Sequence, residues 1–240
     1  MKIFLDTAEV STILEHFETG LIDGVTTNPT LIRKSGRDPE DVYLELAEAG
    51  VRDISMEVVG SREEMTSEGR RLATKFQEVA TIKVPCTPDG LYVCNQLAKD
   101  GTKVNVTLIF DAAQAILAAK AGATYVSPFV GRLDDNSVNG LDVIKDISSI
   151  YQTHWIKTQI LSASIRGVKA VSTSFALGAQ VVTMPPSVFE KMYNHVLTDK
   201  GLQLFDADWA SAVSYTHLRA HETREDIGCR RGREKKKGGG

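Results

Sequence analysis

The chain has 240 residues, of which 42% are hydrophobic and 25% are charged, and its formal net charge is −3. This composition is typical of a soluble globular protein and excludes a disordered, fibrous or collagen-like chain. Its apolar runs, such as residues 104–110, are much shorter than the roughly 20 residues of a membrane span, so no membrane partner is expected. The chain starts without the basic and apolar regions of a signal peptide, which predicts a cytoplasmic protein.

Strand-like and helical segments alternate along residues 1–213. The strand candidates are short and rich in Val, Ile, Thr and Leu. In chain order they are Ile3–Asp6, Gly24–Thr27, Asp53–Val58, Ala80–Val84, Val104–Ile109, Tyr125–Phe129, Lys157–Ala163 and Gln180–Met184. Helical patterns fill the gaps, among them a capping box at Ser61 and Glu64 and a last pattern over Val188–His195.

Regular alternation of this kind predicts a parallel sheet, because the connections are unlike those of antiparallel hairpins. Eight strand–helix units in about 210 residues fit one α/β domain, a closed (β/α)8 TIM barrel, better than an open doubly wound sheet. No GxGxxG motif follows any strand, which argues against a dinucleotide-binding fold.

Polar residues recur where the predicted strands end, which is where such barrels carry their chemistry. These residues are Asp6, Asn28, Glu57, Lys83, Asn105, Thr107, Ser127, Ser164 and Arg166. Each also has a structural explanation; for example, Asp6 could cap a helix and Asn28 could belong to an ordinary turn. The recurrence on seven strands favours a functional site.

Lys83 is the most informative of these residues. Alternation along its strand places Ile82 and Val84 under the helices and Lys83 inside the barrel. Burial disfavours an ammonium ion and favours the neutral amine that attacks a carbonyl, so Schiff-base chemistry is expected. The alternative is a lysine that reaches the rim or pairs with Glu57 or Asp6 for structural reasons alone.

Schiff-base chemistry also requires proton transfers. Glu57 and Asp6 are the available acids, and with Thr107 they could hold a water between the imine and a substrate oxygen. Arg132 and Arg166 follow neighbouring strands and could clamp a phosphate, although each alone could be a surface ion pair.

The C-terminal segment differs in charge from the rest of the chain. Residues 1–213 hold 20 basic and 27 acidic residues, a net −7, whereas residues 214–240 hold eight basic and four acidic residues, a net +4. The segment has no apolar periodicity, and its opening SYTHLRAHETR resembles a translated sequencing adapter, so we interpret 214–240 as a disordered, non-native tail. The alternative is a basic arm for nucleic acid, but no aromatic interleaving supports it, and no nucleic-acid partner is expected.

Neither a disulfide nor a protein metal site is expected. Cys86, Cys94 and Cys229 form no closely spaced pair, and the histidines form no recognisable ligand motif.

Seven segments together resemble the transaldolase family, in its short-chain subgroup. They are FLDTAEV, GVTTNPTLI, SMEVVG, IKVPCTPDGL, NVTLIF, YVSPFVGRLDD and ILSASIR, which occur in order between residues 4 and 166. The resemblance spans about residues 1–213. It implies a (β/α)8 barrel enzyme that forms a lysine Schiff base and needs no cofactor.

The resemblance also implies a role for each site residue. Lys83 would form the Schiff base, and Glu57 would be the acid/base that works through a water also held by Thr107. Asp6 would take up protons at carbon–carbon cleavage and return them at bond formation. The remaining residues would bind substrate: Asn28, Asn105 and Ser127 the hydroxyls of the dihydroxyacetone unit, Arg132, Ser164 and Arg166 the phosphate, with Phe129 beside them. The reaction expected is reversible transfer of dihydroxyacetone from sedoheptulose 7-phosphate or fructose 6-phosphate to erythrose 4-phosphate or glyceraldehyde 3-phosphate, in the pentose phosphate pathway.

Two residues distinguish this reaction from that of similar fructose-6-phosphate aldolases, which cleave the donor instead of transferring the unit. Those aldolases carry Gln in place of Glu57 and Tyr in place of Phe129, so transfer is the expected activity and cleavage the alternative. Short-chain members also end in a helix that packs in a homodecamer. The pattern starting at Leu204 begins such a C-terminal helix, and a homo-oligomer is expected, with assembly weakened by the replaced terminus.

Overall fold

Eight parallel strands form a closed barrel in the order β1 to β8, which confirms the predicted fold. The computed structural model describes residues 1–212. The strands are β1 (Lys2–Asp6), β2 (Gly24–Thr26), β3 (Ile54–Glu57), β4 (Ala80–Pro85), β5 (Lys103–Ile109), β6 (Tyr125–Pro128), β7 (Gln159–Ser162) and β8 (Val181–Met184). β1 pairs with β2 on one side and with β8 on the other, which closes the ring.

Helices follow the strands around the outside of the barrel. They are α1 (Val10–Phe17), α2 (Pro29–Ser35), α3 (Pro39–Glu48), α4 (Arg62–Phe76), α5 (Pro88–Lys99), α6 (Ala112–Lys120), α7 (Val130–Asp134), α8 (Gly140–Thr153), α9 (Val168–Ala176) and α10 (Pro186–Lys191). The predicted capping box is present at the start of α4, where the side chains of Ser61 and Glu64 each accept the other's backbone N–H.

Some element bounds differ from those predicted. β7 is shorter than its apolar run because its ladder involves only Tyr125 and Val126 of β6 and Val181 and Val182 of β8. A run of apolar residues indicates which positions are buried, whereas the bounds of a strand depend on its hydrogen bonds to the neighbouring strands. The short helices α2 and α7 were not predicted, since one or two turns are too few to show a helical period.

The core has two parts, one on each side of the sheet. The larger part lies between the strands and the helices and contains the fully buried Ile82 and Val84 of β4. A smaller cluster inside the barrel contains Phe4, Tyr125 and Leu161. Lys83 lies between Ile82 and Val84, so its side chain points to the barrel interior, as the alternation predicts.

A polar cluster fills the amino-terminal end of the barrel. Asp53, just before β3, accepts hydrogen bonds from the hydroxyls of Thr81 (2.7 Å) and Tyr125 (2.8 Å). Lys103 Nζ lies 3.5 Å from the same carboxylate. These groups satisfy one another's hydrogen-bonding needs, so this end of the barrel is packed.

The barrel belongs to a compact unit that comprises Met1–Met192, and a second unit begins at Tyr193. Residues 196–212 of the second unit are helical, so the predicted C-terminal helix begins earlier than Leu204. The predicted tail at 214–240 lies outside the described residues, as does Cys229.

Within residues 1–212, no helix has both the length and the apolar character needed to cross a bilayer.

Candidate active site

A cavity of about 430 Å³ lies at the carboxyl ends of the strands, and all eight strands or the segments that follow them contribute to its wall. Ten of the eleven residues predicted for the site line it, and Arg166 does not. The ten are Asp6, Asn28, Glu57, Lys83, Asn105, Thr107, Ser127, Phe129, Arg132 and Ser164. The parallel register produces this convergence, because residues far apart in sequence end neighbouring strands at one edge.

Lys83 lies in the cavity wall and is almost fully buried, with 7% of its side chain exposed. Its Nζ donates a hydrogen bond to the Thr27 carbonyl oxygen at 3.0 Å and lies 2.9 Å from Glu57 Oε2. Strand register explains this contact, since Lys83 pairs with Glu57 across β3 and with Asn105 across β5. A buried amine held beside a carboxylate can attack a carbonyl once its proton has moved.

Two buried oxygens in the cavity wall have no hydrogen-bond partner among the described residues. They are Thr107 Oγ1 and Glu57 Oε2, the latter within ion-pair distance of Lys83 but not in hydrogen-bond geometry. Buried polar atoms are nearly always hydrogen-bonded in folded proteins. These two oxygens are therefore available to a polar molecule in the cavity, which is what the predicted water relay requires.

A bulge in β5 shapes the wall around Thr107. The register with β6 shifts between Val106 and Ile109, and Leu108 has φ of +60°. Because of this bulge, the consecutive residues Thr107 and Leu108 both line the cavity while Ile109 returns to the outer core. A positive φ at a leucine is strained, and such strain is concentrated at functional sites.

Asp6, at the end of β1, accepts a hydrogen bond on Oδ1 from the Thr26 hydroxyl at 2.9 Å. Burial raises the pKa of Asp6 above its ordinary value, while the nearby Lys83 charge and the Thr26 hydrogen bond act in the opposite direction. Its carboxyl therefore takes up a proton more readily than an exposed aspartate.

Three residues present amide and hydroxyl groups to the cavity. Asn28 Oδ1 accepts the Leu31 N–H at 3.0 Å and so caps α2, which leaves the amide N–H groups for other partners. Ser127 donates to Asn105 Oδ1 at 2.7 Å, and Asn105 Nδ2 donates to Ser55 Oγ at 3.4 Å. Asn28 therefore caps a helix, instead of belonging to the ordinary turn considered from sequence, and it also lines the cavity.

The two arginines are placed differently. Arg132 lines the cavity, and its guanidinium lies 5.7 Å from the Phe129 ring centroid. Arg166 Nη2 lies 2.5 Å from Asp135 Oδ2 in an exposed ion pair, the structural alternative considered for it. The Gly131 N–H donates to the Ser164 carbonyl at 3.0 Å, and a Cβ at Gly131 would collide with that carbonyl and with Arg166.

Sequence reasoning missed Thr26 and Thr183, which also line the cavity. The sequence did contain a signal for Thr183. Alternation along Val181–Met184 places Val182 and Met184 on the outer face of the strand, in the core beneath the helices, and Thr183 on the inner face. Among residues 1–212, no group of three or more His, Cys, Asp or Glu side chains could hold a metal ion.

Known proteins are similar to this chain over the residues that form the cavity wall. The family model described as Transaldolase/Fructose-6-phosphate aldolase matches residues 3–227, which include every residue of the cavity wall. A protein named "Probable transaldolase" from Paracoccus denitrificans is 53% identical over 211 residues, 88% of this chain and 97% of that protein. Proteins of the same name from a Ruegeria and a Caulobacter species are 51% and 50% identical over 213 and 211 residues. These matches cover 88% of this chain in both cases, and 98% and 97% of the two relatives.

Proposed function

Because the chain belongs to the transaldolase/fructose-6-phosphate aldolase family, we propose that it is a transaldolase that works through a Schiff base on Lys83. The donors would be sedoheptulose 7-phosphate and fructose 6-phosphate, and the acceptors erythrose 4-phosphate and glyceraldehyde 3-phosphate. The observation that carries this proposal is the buried Lys83 Nζ, which lies in the cavity wall 2.9 Å from Glu57 Oε2. Near it, Thr107 Oγ1 has no hydrogen-bond partner among the described residues.

The first half of the proposed reaction forms the imine. Lys83 Nζ attacks the donor's carbonyl carbon to give a carbinolamine, and loss of water then gives the imine. Glu57 and Thr107, whose oxygens are unpartnered among the described residues, hold the water that carries protons to and from the reacting oxygen. Neither a metal nor a cofactor is part of the proposed mechanism.

The second half breaks and remakes a carbon–carbon bond. Asp6 takes the proton of the C4 hydroxyl as the C3–C4 bond breaks, and the electron pair of that bond passes into the imine to give an enamine. The aldehyde product leaves and an acceptor aldehyde enters. The enamine carbon attacks this aldehyde, Asp6 returns the proton to the new hydroxyl, and water hydrolyses the imine to free Lys83.

Substrate binding divides between two parts of the cavity wall. Near Lys83, the amides of Asn28 and Asn105 and the hydroxyl of Ser127 suit the hydroxyls of the dihydroxyacetone unit. Towards the rim, Arg132 and Ser164 suit the phosphate, and Arg166 would join them after leaving Asp135. Local positive charge is needed there because residues 1–213 carry a net −7 and would repel an anion.

Transfer is favoured over simple cleavage by Phe129. Its ring packs edge-on against Phe110, with centroids 5.8 Å apart, and it offers no hydroxyl to protonate the enamine. The intermediate should therefore wait for an acceptor aldehyde. The alternative activity is that of a fructose-6-phosphate aldolase, which would release dihydroxyacetone without an acceptor.

One experiment separates these activities and tests the lysine. Release of glyceraldehyde 3-phosphate from fructose 6-phosphate is measured with and without erythrose 4-phosphate, and borohydride is added to trap the imine. A transaldolase releases at most one equivalent per active site without the acceptor and turns over repeatedly only with it, and Lys83→Ala loses both the release and the trapped adduct. Repeated turnover without acceptor would identify an aldolase, and trapping that persists in Lys83→Ala would remove Lys83 from the mechanism.

We also propose that the protein is a homo-oligomer, as expected from the short-chain subgroup. Light scattering of the full chain measures its mass in solution, and a monomeric mass would contradict this proposal.

A further inference from the structure

Thr183 of β8 lies inside the barrel and lines the cavity, yet the mechanism above gives it no role. Its hydroxyl is buried and lies 2.6 Å from the Thr26 hydroxyl. Thr26 in turn lies 2.9 Å from Asp6 Oδ1. The three side chains form a chain of hydrogen bonds across β8, β2 and β1, and it ends on the carboxyl group that exchanges the reaction's proton.

An ionised Asp6 can only accept, and this fixes the direction of the hydrogen bonds among the three side chains. Each threonine hydroxyl has one proton to donate. If Thr26 gives its proton to Asp6 Oδ1, then Thr183 must donate to Thr26. In the reverse direction Thr183 would need an acceptor, and Thr26 is the only hydrogen-bond partner that the described residues give its hydroxyl. Thr183 therefore donates to Thr26, and Thr26 donates to Asp6.

We propose that Thr183 is a positioning residue that directs the Thr26 proton onto Asp6 Oδ1 and so leaves Oδ2 as the oxygen that exchanges a proton with the substrate. This inference rests on the proposed transaldolase function. Among the described residues no hydrogen bond engages Asp6 Oδ2, and Asp6 lines the cavity. A carboxylate with one oxygen committed can present the other in a single orientation.

Donation from Thr183 to Thr26 also favours the charged form of Asp6, because each hydrogen bond polarises the next one. The charged groups that act on Asp6 are Lys83 of β4 and Glu57 of β3, whereas β2 and β8 contribute the Thr26 and Thr183 hydroxyls. Burial raises the pKa of Asp6, and the Thr26 hydrogen bond lowers it. Loss of the Thr183 hydroxyl weakens that lowering contribution.

The test replaces Thr183 by valine, which removes the hydroxyl and keeps the shape, and by serine, which restores a hydroxyl. Thr81→Val is a matched control, because Thr81 is also buried in the barrel and donates to an aspartate, Asp53, at the packed end. The pH dependence of kcat and KM for transfer from fructose 6-phosphate to erythrose 4-phosphate is measured for each protein, and borohydride trapping is measured in parallel.

In Thr183→Val, kcat should fall about threefold to tenfold, the range expected for one hydrogen bond, with little change in KM. The acidic limb of its kcat–pH profile should move to higher pH, because the pKa of Asp6 is lowered less when the Thr26 hydrogen bond is weakened. Imine trapping should persist because Lys83 is intact. Thr183→Ser should restore the wild-type profile, and Thr81→Val should not move the limb. If the valine variant does not fold, Thr183→Ala removes the same hydroxyl with less bulk.

Three outcomes overturn the proposal, and they are distinguishable. If the wild-type protein neither traps an imine nor transfers the unit, the proposed function fails and the role of Thr183 fails with it. If the wild-type protein is active and the Thr183 variants keep its acidic limb and kcat, only the role of Thr183 fails. A limb that moves equally in Thr81→Val would also refute it, because the effect would then be a general one of barrel stability.

Discussion

Replacing Asp6 by asparagine should stabilise the folded protein at neutral pH while removing the proposed proton acceptor for carbon–carbon cleavage. Burial raises the pKa of Asp6 above its ordinary value of 3.8, despite the nearby Lys83 charge. The folded protein therefore holds this proton more tightly than the unfolded chain, and stability falls as the pH rises through that interval. Above the folded-state pKa, the full free-energy cost of the buried charge is present, and asparagine removes it.

The structure indicates that this substitution loses few contacts. Asn Oδ1 can still accept the Thr26 hydrogen bond that Asp6 Oδ1 accepts at 2.9 Å, and Lys83 retains Glu57 at 2.9 Å. We expect the free energy of unfolding at pH 7 to rise by about 0.5–2 kcal/mol, the usual range for relieving a destabilising functional group. Borohydride trapping should persist while transfer is lost.

Asp53→Asn is the matched control, because Asp53 is also an aspartate inside the barrel but is fully partnered. It accepts hydrogen bonds from Thr81 and Tyr125 and lies 3.5 Å from Lys103 Nζ. An asparagine would turn an amide donor towards one of these donors. Its unfolding free energy should therefore fall by about 1–3 kcal/mol, the cost of an unsatisfied buried polar group.

Urea unfolding of the wild type, Asp6→Asn and Asp53→Asn at several pH values tests this reasoning. The gain in Asp6→Asn should shrink as the pH falls through the folded-state pKa, because the wild-type carboxyl then becomes neutral too. A loss of stability in Asp6→Asn at pH 7, or a gain that is independent of pH, would refute the explanation from burial.

Three further predictions concern the rim and the scaffold. Gly131→Ala should raise KM for fructose 6-phosphate and destabilise the fold by about 1–3 kcal/mol, because its Cβ meets the Ser164 carbonyl and Arg166; steady-state kinetics and urea unfolding measure both effects. Asp135→Asn should lower KM severalfold by freeing Arg166, and an unchanged KM would exclude this arginine from phosphate binding. Ser61→Ala removes the α4 cap and should cost about 1 kcal/mol in urea unfolding, while a changed KM would contradict a purely structural role.

The sequence predicted the barrel and most of the cavity wall for one physical reason. Alternation fixes which face of a strand each side chain occupies, and a parallel barrel brings the carboxyl ends of its strands together. Lys83 between Ile82 and Val84 is the clearest case, since two apolar neighbours on the outer face require the lysine to point inward. Backbone topology was therefore enough to place Lys83 near Glu57.

The position of a long side chain's terminal group was less predictable than the position of its backbone. Arg166 follows β7 as expected, but its guanidinium lies with Asp135, which precedes it by 31 residues, and not in the cavity wall. A long flexible side chain takes its direction from charges that the tertiary structure brings near, and these do not appear in a local pattern. The turn at Asn28 is similar, because the seven-residue helix that it caps is too short to have a recognisable period.

The alternation of residues along the strands also does not predict the hydrogen-bond partners of a buried hydroxyl. Much of the proposed chemistry depends on those partners. Thr107 and Thr26 are both buried barrel threonines, and alternation treats them alike. In the structure, the Thr26 hydroxyl is committed to Asp6 and Thr183, whereas Thr107 Oγ1 has no partner among the described residues. A partnered hydroxyl holds a neighbour in place, and an unpartnered one binds whatever enters the cavity. The two threonines therefore differ because of their surroundings. In the proposed mechanism, Thr26 orients Asp6, and Thr107 is available for the water that serves the imine.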